Sequence, residues 1–382
     1  MKRIVILGGG FAGLVMAEKL SKKLKGEHEI TLVSPRRTFV FYPGLVRLAF
    51  GETDESEVTF DMVEKLQGLN VRFIEAEMLH LKPELRRVQI AGKDINGHIS
   101  YDYLVIAIGR RLATEKLPGF FEYAHHLLGI KAAKKFNTAI EDFEGGNAVF
   151  AIAPEADLPV PVIEAAFAFD NELKKRGNKN AKLSVICPGE IDEAFAGAKI
   201  HSELKEAFSK RGIELIENWQ ISEVARTKLI AFDGRTIPFD LLMVVPTFRG
   251  QARLSENGIT DGKNFVETDE FLRVKGIDNA YAIGDIASFE GPKLAHMAVG
   301  QASIAASNLA SELKGDEPEE VYFHEIASII DEGGGDTIYL HYGIWDKSLY
   351  RLKSGTMWSY IKKIHDKVWK MRHNGSWIDL GA

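Results

Sequence analysis

The sequence predicts an α/β fold containing two Rossmann-like dinucleotide-binding domains, and three observations carry that prediction. The first eighteen residues read as a short buried strand, a glycine turn and the start of a helix. Apolar runs of the same style return at Tyr103 to Gly109 and at Asp278 to Asp285, each reaching a glycine. Between these two runs, strand and helix patterns alternate from Ala148 to Val245 as a βαβ unit of their own. In the opening stretch, Ile4 to Leu7 is a continuous apolar run, as a parallel strand covered on both faces requires. The turn that follows spaces three glycines, each with a task. Gly8 permits the tight turn, Gly10 lets a pyrophosphate approach the backbone, and Gly13 lets helix and strand pack closely. The pyrophosphate would rest on the free N–H groups at the helix start, those of Phe11 and Ala12 among them, and on the positive end of the helix dipole.

With 382 residues the chain has room for two or three domains, and 45% hydrophobic with 27% charged residues supplies a substantial core. The formal charge of −6 gives no support to nucleic-acid binding. Cys187 is the one cysteine, which excludes an intramolecular disulfide. Lys2-Arg3 before an apolar stretch imitates a signal peptide, but the glycine pattern accounts for that stretch and no processing site follows. No run of about 18 uninterrupted apolar residues occurs, so no spanning helix is expected.

Glu29 to Val33 forms the second strand. It ends at Ser34, where many such folds carry an acidic residue for the ribose hydroxyls. Here a Ser34 hydroxyl or backbone group would replace the carboxylate, and Arg36 or Arg37 would lie against adenine or phosphate. Thr38 to Phe50 is apolar for a connection; it reads either as a buried loop over the core or as a wall of the cofactor or substrate pocket. Val71 to Glu75 is a strand, and Leu79 to Ser100 a small antiparallel meander turning at Asn96-Gly97. In the inserted unit, Ala148 to Ile152, Lys182 to Cys187, Ile213 to Glu217 and Leu241 to Val245 are strands. Val162 to Lys175 and Ile200 to Lys210 are helices. After its first strand comes Ala153-Pro-Glu-Ala-Asp-Leu-Pro-Val-Pro161, with no glycine and three prolines, which argues against ordinary NAD(H) binding there.

The glycine turn, the Tyr103 to Gly109 strand and the Gly284-Asp285 strand end, in this order, resemble the FAD-binding scaffold of two-dinucleotide-fold flavoproteins. The resemblance implies that Asp285 bonds the ribityl or phosphate region and that Gly109 lets the backbone pass close to FAD. With Ser34 to Pro43 (SPRRTFVFYP), Pro292-Lys293 and Trp369 to Arg372 added, the chain resembles the sulfide:quinone oxidoreductase family, near flavocytochrome c sulfide dehydrogenase and type II NADH dehydrogenases. Members take electrons from sulfide on one flavin face and pass them to quinone on the other. Their sulfide chemistry uses a cysteine pair, whose places fall here at Leu158 and Ser328. Cys187, inside an apolar strand, does not replace them. The resemblance places Lys293 near the flavin N1 and C2 carbonyl, where a cation stabilises negative charge on the reduced flavin; a solvated surface lysine is the alternative. It places Glu164 beside the flavin as proton carrier for quinone; a helix-start carboxylate facing water is the alternative. His125, His126, His296 and His324 lack metal-ligand spacing, so no metal is expected.

Residues 351–373 carry a net charge of +6 in a chain of net −6, with Trp358, Ile361, Ile364, Val368 and Met371 at helical spacing. A basic amphipathic helix over 354–373 suits an anionic membrane surface. Docking on its own domain, or on a second subunit in a homodimer, is the alternative. The expected organisation is an FAD-binding domain at 1–115 and 255–318, a second Rossmann-like domain at 116–254, and a C-terminal membrane-associating segment at 319–382. The expected function is peripheral, on the cytoplasmic side of the membrane: an FAD-dependent oxidoreductase with an unidentified donor, passing electrons to a quinone or other lipid-soluble acceptor. A type II NADH:quinone dehydrogenase and a non-catalytic flavin-binding scaffold are the alternatives.

Overall fold

The computed structural model describes residues 1–93, 95–362 and 364. Its first sheet is parallel, in the order Ala280–Ala282, Tyr103–Ile106, Arg3–Leu7, Glu29–Ser34, Val71–Glu75. In the central strand Ile4 and Ile6 join one hydrophobic core while Val5 and Leu7 join another, so both faces are covered. That two-sided burial is why the strand is apolar throughout rather than alternating. The helices Phe11–Leu24 and Ala295–Lys314 pack together over one face through Leu14, Leu20, Ala302, Ala305 and Leu309. On the other face lies an antiparallel meander of Glu77–Lys82, Arg87–Ala91 and Asn96–Ser100. Its predicted turn at Asn96-Gly97 is instead the start of the last strand, where Asn96 pairs with Ala91 and Gly97 with Ile90.

The second parallel sheet runs Ile213–Ile216, Ala181–Ile186, Gly146–Ile152, Leu241–Val245. The Val160–Lys175 and His201–Arg211 helices pack on it, with Phe169 meeting Phe150 at 5.7 Å between ring centroids and Phe167 meeting Phe208 at 4.9 Å. The Thr38 to Phe50 connection is mainly core. It folds as a strand Thr38–Val40, a 3-10 turn Tyr42–Gly44 and a helix Leu45–Ala49, and it buries Phe39, Phe41, Leu45 and Leu48.

The segment after Glu325 departs from expectation. Glu325–Gly333, Asp336–Gly343 and Tyr350–Ser354 form an antiparallel sheet, with Ile330 opposite Ile338 and Leu340 opposite Leu352. Ile326, Ile330, Ile338 and Leu340 extend the main core, and the sheet packs on the Val160–Lys175 helix. Residue 354 therefore ends a strand. Gly355, at φ +146, breaks the chain direction, and helix follows over 357–362. Residue 364 is helical too; 363 and 365–373 of the predicted 354–373 helix lie outside the described residues. Among the described residues no helix is long and apolar enough to cross a membrane.

Candidate functional site

The strands of the first sheet deliver their glycines to one edge. Gly8, at φ +104, lies so close to the neighbouring strand that an added Cβ would stand 2.2 Å from the Ala107 carbonyl oxygen; at Gly13 it would stand 1.8 Å from that of Gly8. These two positions are steric requirements of the fold. Gly10 differs: it caps the Phe11–Leu24 helix with no side-chain hydrogen bond, and a Cβ there would meet nothing within 4 Å. Open space therefore faces an uncapped helix N-terminus, the cradle a pyrophosphate needs. Gly109, at φ +65, also faces open space. Gly284 crosses directly over the helix start, its added Cβ 2.9 Å from that of Ala12, and its N–H donates to Gln301 Oε1 at 2.6 Å.

At the far end of the cradle, Ser34 is buried and its hydroxyl donates to the Arg36 carbonyl at 3.0 Å, so that side chain shapes the turn. Arg36 and Pro43 are exposed, while Arg37 is tied to Asp61 at 2.6 Å. Phe11 packs its ring on Phe39 at 5.0 Å and on Phe41 at 5.9 Å.

Beside Gly284 stands a cluster of buried charges. The Arg110 side chain, 7% exposed, pairs with Asp157 and with Asp285 at 3.0 Å, and its guanidinium lies 3.7 Å over the Phe248 ring. Lys293 is buried too; its ammonium donates to the Ala287 carbonyl at 2.6 Å and its N–H to the Asp157 carbonyl at 3.2 Å. Burial pulls the Lys293 ammonium down to about 8, against the opposing pull of Asp157 and Asp285. Burial likewise pushes the Asp285 carboxyl up, opposed by Arg110 and Lys293. Lys293 is thus no solvated surface lysine. Arg110 and Asp157 were not singled out in the sequence, although the position of Arg110, directly after Gly109, was a signal.

Glu164 also rejects the water-facing alternative. It is buried in the first turns of the Val160–Lys175 helix, accepting from the Asp331 N–H at 2.9 Å and from the Lys362 ammonium at 2.5 Å. Burial raises its pKa, with Lys362 pulling the other way. Lys362 comes from the 357–362 helix, whose Trp358 stacks on Tyr339 at 4.0 Å, nearly parallel. That helix docks on its own chain and leaves Met357, Tyr360 and Ile361 exposed, with Ile364 beyond it. Leu158 and Ser328 are partly buried, Ser328 in mid-strand opposite Leu340. Cys187 is fully buried and burial pushes its thiol up to about 12, so a thiolate there is not accessible.

The turn after Gly146–Ile152 is closed. Glu155 adopts a left-handed backbone at φ +57, and its carboxylate meets Arg249 at 2.8 Å, Lys263 at 3.2 Å and Lys116 at 3.4 Å. The helix beyond starts at Pro159 with a further proline in its first turn and no side-chain cap. A small enclosed cleft lies between Asp285, Lys293, Met297, Gln301 and His324. A shallow depression of about 590 Å³ runs along His201 to Lys210, on the outer helix of the second sheet. No metal-ligating cluster occurs among the described residues.

The arrangement is matched among known proteins. The model of the pyridine nucleotide-disulphide oxidoreductase family matches residues 2–147 and 178–302. The chain is 25% identical over 337 residues to the mitochondrial sulfide:quinone oxidoreductase of Mus musculus, a match covering 84% of this chain and 73% of that protein. It is 22% identical over 397 residues to the type II NADH:quinone oxidoreductase of Staphylococcus aureus, covering 96% and 94%. In fold it resembles the structure of sulfide:quinone oxidoreductase from Aquifex aeolicus, with a TM-score of 0.91 at 21% identity, covering 98% of this chain and 91% of that one. Fold, glycine-lined edge and family match together define a flavin-dependent oxidoreductase. The chain belongs to the pyridine nucleotide-disulphide oxidoreductase family.

Proposed function

We propose that the chain is a peripheral FAD-dependent quinone reductase of the sulfide:quinone oxidoreductase-like type. Gly8, Gly10, Phe11, Ala12 and Gly13 would hold the pyrophosphate, Ser34, Arg36 and Pro43 would border the adenosine, and Gly109, Gly284 and Asp285 the ribityl chain. Lys293 would stand by the flavin ring. FAD, when bound, supplies the chemistry of accepting two electrons from a donor and releasing them to an acceptor. The protein's part on the acceptor side is carried by one observation: a buried carboxyl, Glu164, joined to Lys362 on a helix with an exposed apolar face. In its protonated form such a carboxyl donates a proton to the reduced quinone, and the neighbouring lysine orients the quinone oxygen. The exposed Met357, Tyr360, Ile361 and Ile364 fit a membrane surface, from which a lipid-soluble quinone would arrive.

The donor side lacks the family's means. With Leu158 and Ser328 in place of thiols, and the Cys187 thiol buried, no nucleophile is present to form a persulfide. The closed turn at Glu155 opposes pyridine-nucleotide binding in the usual place. The test is an anaerobic titration of the flavin absorbance with sulfide, then NADH and finally dithionite, followed by a quinone. Flavin that is bleached by dithionite and reoxidised by quinone, in a chain that floats with anionic liposomes, is the expected result. Flavin that quinone fails to reoxidise would overturn the reading.

A further inference from the structure

Arg110 stands between two carboxylates of different origin. Asp285 follows the last strand of the first sheet, whereas Asp157 comes from the loop after the first strand of the second sheet, 47 residues along the chain from Arg110. A flavin ribityl chain would engage Asp285 and leave Arg110 with Asp157 as its carboxylate. The same Asp157 fixes Lys293 through its backbone carbonyl, and Lys293 is enclosed by Phe265 at 4.6 Å and by Ala287. No carboxylate lies within 4 Å of the ammonium among the described residues, so the surrounding charges act on it from farther off. Those charges are Asp157, Asp285 and Asp261, opposed by Arg110, and His324 lines the same cleft and is itself held toward its neutral form by burial and by Lys293.

We propose that Asp157 is a positioning residue of the flavin site, holding Arg110 against Phe248 and Lys293 in its pocket so that the second sheet's loop sets the charge presented to the flavin. The inference rests on the FAD reading above and goes beyond it by giving the closed loop a redox task. An ammonium near the flavin ring stabilises the extra negative charge of the reduced form, and a neutral amine does not. Asp157 favours the charged form and Arg110 disfavours it, so removing either moves the titration of Lys293 in opposite directions.

The experiment follows the midpoint potential of the FAD-loaded full chain by spectroelectrochemistry across pH, with FAD content measured in every variant. The wild type is expected to show a change of slope near the pH at which Lys293 titrates, about 8, and K293M to lack it. D157N should move the break to lower pH by about one pH unit, and D157E should restore it. R110Q should move it to higher pH. A break that stays in place in D157N and R110Q while FAD is retained overturns the proposal, as does a break that survives in K293M. Should D157N lose FAD, R110Q alone decides: a shift to higher pH supports the proposal and any other result overturns it. A wild-type chain that holds no FAD overturns the cofactor reading instead, and the proposal with it.

Discussion

The molecule contains the same βα turn twice, and the two turns have opposite surfaces. The turn from Leu7 to Phe11 ends at an uncapped helix with open space over Gly10. The turn from Ile152 to Val160 places a carboxylate, Glu155, within reach of three cations and starts its helix with prolines. An incoming pyrophosphate would find free N–H groups at the first, and at the second a carboxylate locked into ion pairs over a helix start where Pro161 supplies no N–H donor. Parallel strands and flanking helices are common to both, so binding capacity resides in the turn residues and not in the fold. The second unit still serves the proposed site through different residues, Asp157 within that closed turn and Glu164 on the helix that follows it.

The largest effect should come from closing the first turn. Gly10→Val fills the cradle without displacing any atom within 4 Å of the new Cβ, so circular dichroism should be retained while FAD content drops at least about tenfold. Full FAD in that variant would erase the distinction between the turns. Next comes the contribution of the second unit's helix. Glu164→Gln should slow quinone reduction about 100-fold with flavin retained. If the protonated carboxyl is the proton donor, the rate falls as pH rises through its raised pKa. Lys362→Met removes the cation that draws that pKa down, so the fall should shift to higher pH. A stopped-flow pH profile of reoxidation by quinone checks both.

The open turn was legible in the sequence because its three glycines perform backbone tasks that other residues cannot, all within the six residues after the strand ends at Leu7. The closed turn was half legible. Prolines and missing glycines exclude a pyrophosphate locally, but the cations that lock Glu155 come from Lys116, Arg249 and Lys263, which only the fold assembles. The same reason hid Lys362, which meets Glu164 across 198 residues, and Arg110, whose partner Asp157 lies 47 residues along the chain. The C-terminal sheet has a local signal in the sequence: Ile326 to Ile330 and Thr337 to Tyr342 are rich in β-branched and aromatic residues around three consecutive glycines, Gly333 to Gly335, a signal that the stronger charge pattern of the basic run after Arg351 masks.

A smaller effect should report the lock itself. Against a desolvation that pushes it up, Arg249 and Lys263 hold the Glu155 carboxyl down to about 2 in the folded chain, against an ordinary 4.5. A depressed folded-state value means that stability from this group is present above about 4.5 and is lost as pH falls toward 2. Its side chain is 41% exposed, so solvent screening limits the contribution to about 1 kcal/mol or less. Urea denaturation of wild type and Glu155→Gln should therefore differ at pH 6 and converge as the pH falls below about 4. A constant difference would place the lock's value in packing and not in charge.

The smallest effect on the flavin and its turnover is expected at Cys187, and it tests whether the donor side truly lacks a thiol. The residue follows the Ala181–Ile186 strand of the second sheet, fully buried, with its thiol pushed up to about 12. Its N–H donates to the Ile216 carbonyl and its carbonyl accepts from Trp219, so the backbone there is fixed by the sheet edge and the side chain acts as core filling. Cys187→Ala should leave flavin content and quinone reduction within about twofold and cost about 1 kcal/mol of stability, as small buried truncations do. Native protein should resist iodoacetamide for as long as it stays folded and react once denatured. Rapid labelling of the native chain, or loss of a donor's ability to bleach the flavin in Cys187→Ala, would show that the loop and strand open to admit a thiol that the static packing encloses. The contrast between the two turns would then have to be redrawn with a mobile second unit.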